Sequence, residues 1–488
     1  MVRKKKHKLA VKKRQKPRAK FLIKKKPRAV ARTKPRGQRN QRKKVVIMGA
    51  LGMDFHTFNT VFRDNPDYQV IAFTMAGEQN LGTTNERELR YPKELAGRLY
   101  PKGIPIYPEA WLERIVRDNR VDEVVLAYSD LSYIEVMRKA ARSLSNGAKF
   151  VLIPPRLTMI RPRKPLIAIN AVRTGCGKSQ TSRKVTKMLK EMGLRVVAIR
   201  EPMPYGDFLD ERCMRFASYA DLDRHKCTIE EREEYEPYID LGLVIYSGID
   251  YGMILREAEK EADVIVWDGG NNEICFYVPD VLIVVADPLR PGHEILYHPG
   301  EVNARMADYV VINKENTARK EDIITVEDNI RRINPKARII HADSIIKMQH
   351  PETVRGKKVL VIEDGPTLTH GGMSFGAGIV AAKNLGCTII DPRPFVSGTL
   401  KDVYSKFPNL GKVLPAMGYS KGQLKELEDA INKSDCEVVV SGTPIDISRV
   451  IKVNKPVMRV RYELDEKAPV TLKVVLADFL KRAKAKKR

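Results

Sequence analysis

Acidic residues are missing from the first 44 positions, which hold 22 of the chain's 88 Lys and Arg. That stretch carries several prolines and almost nothing apolar beyond Phe21-Leu22-Ile23, so it has no material for a core and is expected to be disordered when free. It also lacks the continuous apolar run of a signal peptide or membrane span. Cysteine is scarce: six in 488 residues, at 176, 213, 227, 275, 387 and 436, with no Cys-x-x-Cys pair and no His at metal-ligand spacing. This excludes a disulfide scaffold and a zinc finger, and it reads as reduced thiols in a cytoplasmic protein. Gly49 and Gly52 follow the first strand without the third glycine of a dinucleotide fingerprint, which argues against NAD and leaves a phosphate or another anion for that turn. No repeat of solenoid period is present.

What is there divides sharply. Beyond residue 44 the chain has 66 basic against 60 acidic residues, a nearly balanced enzyme-like body behind a basic tail. Lys and Arg at the tail's density neutralise phosphates by counterion release, so RNA or ribosome contact through residues 1–44 is expected; a solvated tail or an anionic membrane surface are the alternatives. The 30% of charged residues fits a thermophile. Oligomeric state, including a homo-oligomer, is left open.

The length suits about three domains on a prior of ~150 residues each. The fold class is α/β, with three parallel-sheet units behind the tail (1–44). A Rossmann-like unit (45–160) starts with the strand Lys44 to Met48, and a P-loop unit (161–350) has strands from 166–170 to 338–341. A C-terminal unit (351–476) begins at Lys358 to Asp364, and a short basic end (477–488) is read as solvent-facing.

The central unit carries the chemistry. Pro165 to Asn170 reads as a buried strand, Gln180 to Met192 as an amphipathic helix, and between them lies Arg173-Thr174-Gly175-Cys176-Gly177-Lys178-Ser179. Strand, glycine loop and helix start aim backbone N–H groups and the positive helix end at one point, where phosphate fits. Gly175 and Gly177 admit the phosphate, Lys178 reaches its β and γ groups, Ser179 can ligate Mg2+, and Gln180 closes the turn. The position five before Gly177 is Val172, not the usual glycine, and this displacement resembles the loop of dethiobiotin synthetase and cobyrinate amidating enzymes.

Other strand ends supply candidates. Asp268, closing Asp263 to Trp267, is placed as the second acid of such a site and as a Mg2+ ligand. Arg200 suits phosphate charge, and Asp207 a second Mg2+ ligand or a base. The acidic stretch 221–238 reads as a mobile insertion over the site or a solvated helix. Asn313 and Lys314 match the start of the guanine-reading Asn-Lys-x-Asp motif, but Asn316 replaces the aspartate. Losing that double acceptor costs ~1 to 3 kcal/mol, which points to ATP or relaxed nucleotide use. Glu363, Asp364, His370, Gly371 and Gly372 form an acid pair and glycine loop for a second, phosphorylated substrate, with His370 as acid or base. A structural turn is the alternative there.

Taken together, Val46 to Ala50, Asp54-Phe55-His56, Asn170 to Ser182, Pro202 to Asp207, Trp267 to Asn272, Asp287 to Glu294 and Glu363 to Gly378 resemble an archaeal and bacterial family of predicted P-loop GTPases. Many of its members are labelled cyclic 2,3-diphosphoglycerate synthetase. The resemblance spans about 44 to 476, and Asn316 departs from it. It implies ATP-driven closure of 2,3-diphosphoglycerate to a cyclic phosphoanhydride, with Mg2+ and ATP or GTP as cofactors. It further implies that Lys178, Ser179 and Asp268 act on the γ-phosphate, while His370 with Arg290 or Arg393 holds the acidic substrate. A regulatory GTPase-like switch brought to RNA by the tail, and an amide-forming ligase, are the rival readings. Deleting residues 1–44 is expected to leave turnover intact and to weaken RNA retention at low salt, with the difference vanishing at high salt; equal retention by both proteins would contradict the tail's assignment.

Overall fold

Strands whose residues are buried on both faces alternate with half-buried helices from residue 43 onward, the pattern that builds parallel sheets covered on two sides. The computed structural model describes residues 42–49, 52–76, 89–201, 206–270, 273–365, 368, 374–417 and 420–486. The expectations for tail residues 1–41 and for His370, Gly371 and Gly372 lie outside them.

The first sheet contains β1 (Lys43–Met48), β2 (Tyr68–Met75), β3 (Arg90–Tyr91), β4 (Ile104–Pro108) and β5 (Glu123–Leu126); β6 (Leu131–Ser132) lies apart, and β7 (Lys149–Leu152) completes the sheet. Its order is β3-β4-β2-β1-β5-β7, parallel except for the β3–β4 pair.

The second sheet takes in β8 (Leu166–Ala171), β9 (Val196–Arg200), β10 (Met214–Phe216), β11 (Val244–Ser247), β12 (Val264–Asp268) and β13 (Val281–Ala286). β14 (Tyr297–His298) leaves it to pair with β6, and β15 (Tyr309–Ile312) and β16 (Arg338–Met348) extend it. β17 (Lys358–Asp364), β18 (Thr388–Ile389), β19 (Leu414–Ala416), β20 (Val438–Ser441) and β21 (Val457–Glu466) complete it. The order is β10-β11-β9-β12-β8-β13-β15-β16-β21-β20-β17-β18, with β19 also beside β17. The chain leaves β8 toward β9 on one side, while β13 lies on the other, so the crevice at the carboxyl end of β8 is a topological switch point.

Three separate sheets were expected, and this is corrected by β16. Its first residues pair in parallel with β15 (Tyr309↔Arg338 to Ile312↔His341), and the rest pair antiparallel with β21 (Ala342↔Glu466 to Met348↔Val460). One long strand therefore serves two neighbourhoods and fuses the second and third units into a continuous sheet. The C-terminal helix Leu472–Lys486 then returns to the P-loop unit, where Leu472, Val475, Leu476 and Phe479 are buried with β8, β13 and β15 in one apolar cluster. Tyr309 donates to Asp478 (3.0 Å) and Arg482 pairs with Asp308 (2.8 Å), so a boundary at 476 falls inside an element, and the supposedly solvent-facing end is anchored.

The acidic stretch is neither mobile cover nor a solvated face. Residues Ile229–Asp240 form a helix opened by a Thr228/Glu231 capping box, and Glu230, Glu231, Glu233 and Glu236 are buried. Ile229 packs with Leu360 and Ile362 of β17, whereas Tyr235 and Tyr238 join the P-loop unit's cluster. Among the described residues no helix is long and apolar enough to cross a membrane.

Candidate functional site at the phosphate loop

The loop between β8 and the helix Lys178–Glu191 is held from outside. Gly175 (φ +82°) and Gly177 (φ +103°) take the left-handed backbone that disfavours other residues, and a Cβ on Gly177 would overlap the Asn313 amide. Arg290 Nη2 donates to the Thr174 carbonyl (2.8 Å), Lys314 Nζ to that of Gly175 (2.6 Å) and Asn313 Nδ2 to that of Cys176 (2.9 Å). Asp287 steadies both cations, at 2.7 Å from Lys314 and 3.1 Å from Arg290. With the carbonyls drawn outward, trans peptide geometry points the N–H groups of Gly175 and Gly177 the other way, toward a prospective phosphate. Arg290 Nε and Nη1 are buried without a partner among the described residues, an orphaned cationic edge suited to an anion. Arg290 thus belongs to the loop and not to a separate substrate site.

Arg173, at the loop's start, is fixed by the first unit: Nε lies 2.5 Å from Asp130 Oδ1, and its guanidinium stacks 3.8 Å from the Tyr297 ring centre. Burial and the Arg173 charge push the neighbouring His293 down to about 4. Cys176 is buried and its thiol is pushed up to about 11 by burial, so it fills space in the loop.

Asp268 ends β12 in full burial and is surrounded. Oδ1 accepts from Lys178 Nζ (2.6 Å) and Ser182 Oγ (2.7 Å), Oδ2 from Arg200 Nη1 (3.0 Å) and the Tyr238 hydroxyl (2.7 Å). Although burial opposes ionisation, Lys178 and Arg200 hold the carboxyl well below the usual range. Burial, then the Arg200 charge, lowers Lys178. Arg200 also pairs with Glu234 (2.5 Å). Ser179 is half-buried in the helix's first turn, with no side-chain partner among the described residues, while Gln180 Nε2 turns to Ser344 Oγ (3.2 Å). Sequence reasoning missed Ser182, Glu234 and Tyr238; the last two, four apart on one helix face, were the available signal.

The other candidates scatter. Asp207 is exposed and its carboxylate accepts from Leu209 N (2.8 Å), a local turn contact. Asn316 holds both the N–H and the C=O of Ser344 with its amide (3.0 and 3.1 Å), which ties β16 to β15. Arg393 is exposed and chelates Asp391 (2.8 and 2.9 Å). Glu363, buried at the end of β17, accepts from Gly376 N (3.0 Å) and Ile379 N (2.9 Å) at the start of the helix Ala377–Asn384. The glycine loop after β17 was expected to receive a substrate phosphate; at its described end the protein's own carboxylate takes the N–H groups instead. Asp364 lies against Glu233, whose pKa burial and Asp364 raise. The Gly49 turn is likewise not an anion site: a Cβ on Gly49 would lie 2.5 Å from Asp54 Oδ2, and one on Gly52 would overlap the Glu201 carboxylate. A cleft of about 720 Å³ lined by Tyr309, Arg338 and Arg482 opens at the amino ends of β15 and β16, away from this chemistry.

No family model matches the chain. It is 55% identical over 449 residues to the arginine synthetase ArcE of Thermococcus kodakarensis, an alignment covering 92% of this chain and 99% of that protein. The chain belongs to the family of that synthetase. Solved structures overlap loosely. LpxK of Aquifex aeolicus in complex with ATP is 12% identical, with 66% of this chain and 91% of that one covered at a TM-score of 0.38. Cobyrinic acid a,c-diamide synthase of Mycobacterium smegmatis, with an ATP analogue and magnesium, is 15% identical, with 37% and 72% covered at 0.17. Overlaps this loose fix neither fold detail nor ligand.

Burial raises Glu363 from 4.5 to about 7 despite its backbone hydrogen bonds. A raised carboxyl pKa means the folded state holds the extra proton, so stability falls as pH climbs from about 4.5 to 7, by up to about 3 kcal/mol. Glu363→Gln should flatten that part of the pH–stability curve in denaturant titrations; parallel curves for the two proteins would contradict the assignment.

Proposed function

We propose that this protein is a Mg2+-dependent synthetase that uses ATP to form arginine. The observation that carries the reading is the 55% identity across 99% of a relative named for that product. A guanidinium is made at a nucleotide's expense when the oxygen of a ureido carbon becomes a leaving group. The γ-phosphoryl passes to that oxygen, releasing ADP, and a nitrogen nucleophile then displaces inorganic phosphate and gives up a proton. Phosphoryl transfer of this kind is served by positioning and charge, which the phosphate loop supports.

In this reading Gly175 and Gly177 hold the phosphates through their N–H groups and Lys178 moves from Asp268 to the γ-phosphate. Arg290 holds the outward-drawn Thr174 carbonyl and so keeps the loop's N–H groups turned to the phosphates, while Lys178 starts from its contact with Asp268. The Ser179 hydroxyl and Asp268 carboxylate are oxygen donors of the kind Mg2+ takes, and they would hold it. That ion would neutralise charge on the transferring phosphoryl group. Asn316, with both ends of its amide engaged by Ser344, supports ATP over GTP.

The cyclic diphosphoglycerate synthetase resemblance favours a second reading, in which the γ-phosphoryl passes to one phosphate of 2,3-diphosphoglycerate, releasing ADP, and the neighbouring phosphate attacks that substrate phosphorus, displacing inorganic phosphate and closing the cyclic phosphoanhydride. Phosphorus NMR and amino-acid analysis separate the two. With ATP and Mg2+, citrulline and ammonium should yield arginine, ADP and phosphate, and Lys178→Ala should lower the rate by at least about 1,000-fold. Formation of a cyclic phosphate from 2,3-diphosphoglycerate with no arginine would favour the second reading. RNA-stimulated hydrolysis of GTP without either product would favour the switch.

A further inference from the structure

Strand alternation sends neighbouring residues at the crevice in opposite directions. Arg200 turns toward Asp268 and the helix Ile229–Asp240; Glu201, the next residue, turns toward the first unit. Arg200 and Asp268 are register partners on β9 and β12, so Glu201 and the turn Gly269–Gly270 stand side by side just beyond them.

There Glu201 meets two more acids. One of its carboxylate oxygens occupies the place a Gly52 Cβ would take. The other presses on the place of a Gly270 Cβ, from which Glu273 Oε2 is 2.8 Å away. Glu273 Oε1 accepts from Ser129 Oγ (2.8 Å), and Asp54 Oδ1 from Phe55 N (2.6 Å), so both carboxylates are oriented by protein donors. Glycine at 52 and 270 is what admits the Glu201 carboxylate: a Cβ at either position would collide with it.

Two buried acceptors beside the Gly269–Gly270 turn lack a partner among the described residues, as does the Trp267 Nε1 donor next to the second of them. Glu273 is 5% exposed and its Oε2 has no partner; Asn170, 1% exposed at the end of β8, has none for Oδ1, which lies 3.2 Å from where a Gly269 Cβ would sit. Orphaned buried acceptors call for a ligand rich in N–H groups. Neither Glu201 nor Glu273 is ion-paired among the described residues. A broad, planar, multiply donating cation is the kind of group that satisfies several carboxylates at once.

We propose that Asp54, Glu201, Glu273 and the Asn170 carbonyl oxygen form the subsite for the guanidinium end of the amino acid, an assignment that rests on the arginine-forming reading above. Glu201 follows Arg200 and the Gly269–Gly270 turn follows Asp268 in the chain, so these acids adjoin the two strand ends that carry the phosphoryl-handling groups. Burial, then the charge and hydrogen bond of Glu273, then Asp54 raise Glu201 well above its usual range, the mark of carboxyls crowded without a countercharge.

Calorimetric titration of arginine into the full-length protein with ADP and Mg2+ tests the subsite. Glu201→Gln and Glu273→Gln should each weaken arginine at least about tenfold while leaving ADP affinity within about twofold, and Gly270→Ala, whose Cβ would displace the Glu201 carboxylate, should abolish arginine binding. Melting temperatures check folding, and Gly270→Ala decides the matter where a Gln variant fails to fold. Wild-type-like arginine affinity in Glu201→Gln and Gly270→Ala would overturn the subsite alone. A wild-type protein that neither binds nor forms arginine would overturn the arginine-forming reading and the subsite with it.

Discussion

One buried carboxylate organises this molecule. Asp268 receives hydrogen bonds from the phosphate-loop helix (Lys178 and Ser182), from the end of β9 (Arg200) and from the helix Ile229–Asp240 (Tyr238). An ion set of this burial is stable only when every member is satisfied, because a partner removed leaves an uncompensated charge that costs about 3–5 kcal/mol. On the reading proposed above, an incoming phosphate would offer Lys178 a second anion and so free a carboxylate oxygen of Asp268 for a metal ion.

The helix Ile229–Asp240 ties that ion set to the rest of the fold. Glu234 and Tyr238 hold Arg200 and Asp268, while Glu233 faces Asp364, Glu236 Oε2 accepts from Asp446 N (3.4 Å) and Ile229 packs on β17. The acids that would make this segment a surface helix are satisfied one by one by distant partners. The first unit closes the other side: Asp130 fixes Arg173, Ser129 fixes Glu273, and β6 pairs with β14. The phosphate loop thus sits where three regions meet.

The parts of this legible in the sequence are those whose chemistry is local. Arg173 to Gln180 could be read because glycine spacing, a preceding apolar strand and a following helix are contiguous, and Asp268 because an apolar run ends on it. Strands such as Leu166–Ala171, apolar but for Asn170, and Val281–Ala286, apolar throughout, fell where the pattern placed them. What stayed hidden depends on partners far along the chain. The second half of Arg338–Met348 mixes polar and apolar residues, and its strand character comes from pairing with Val457–Glu466 more than a hundred residues away. Nothing near Glu233, Glu363 or Glu201 announces burial, because their partners Asp364, Gly376 and Glu273 are assembled by topology alone. Charge at strand ends reads as solvent exposure until the fold covers it.

The central claim is that Lys178 exchanges Asp268 for a phosphate. A crystal structure of the full-length protein with a non-hydrolysable ATP analogue and Mg2+ tests it most directly. The account predicts Lys178 Nζ withdrawn from Asp268 and bonded to a phosphate oxygen, with Asp268 still held by Arg200 and Tyr238. A nucleotide seated on the phosphate loop with the 2.6 Å Lys178–Asp268 contact intact would contradict it.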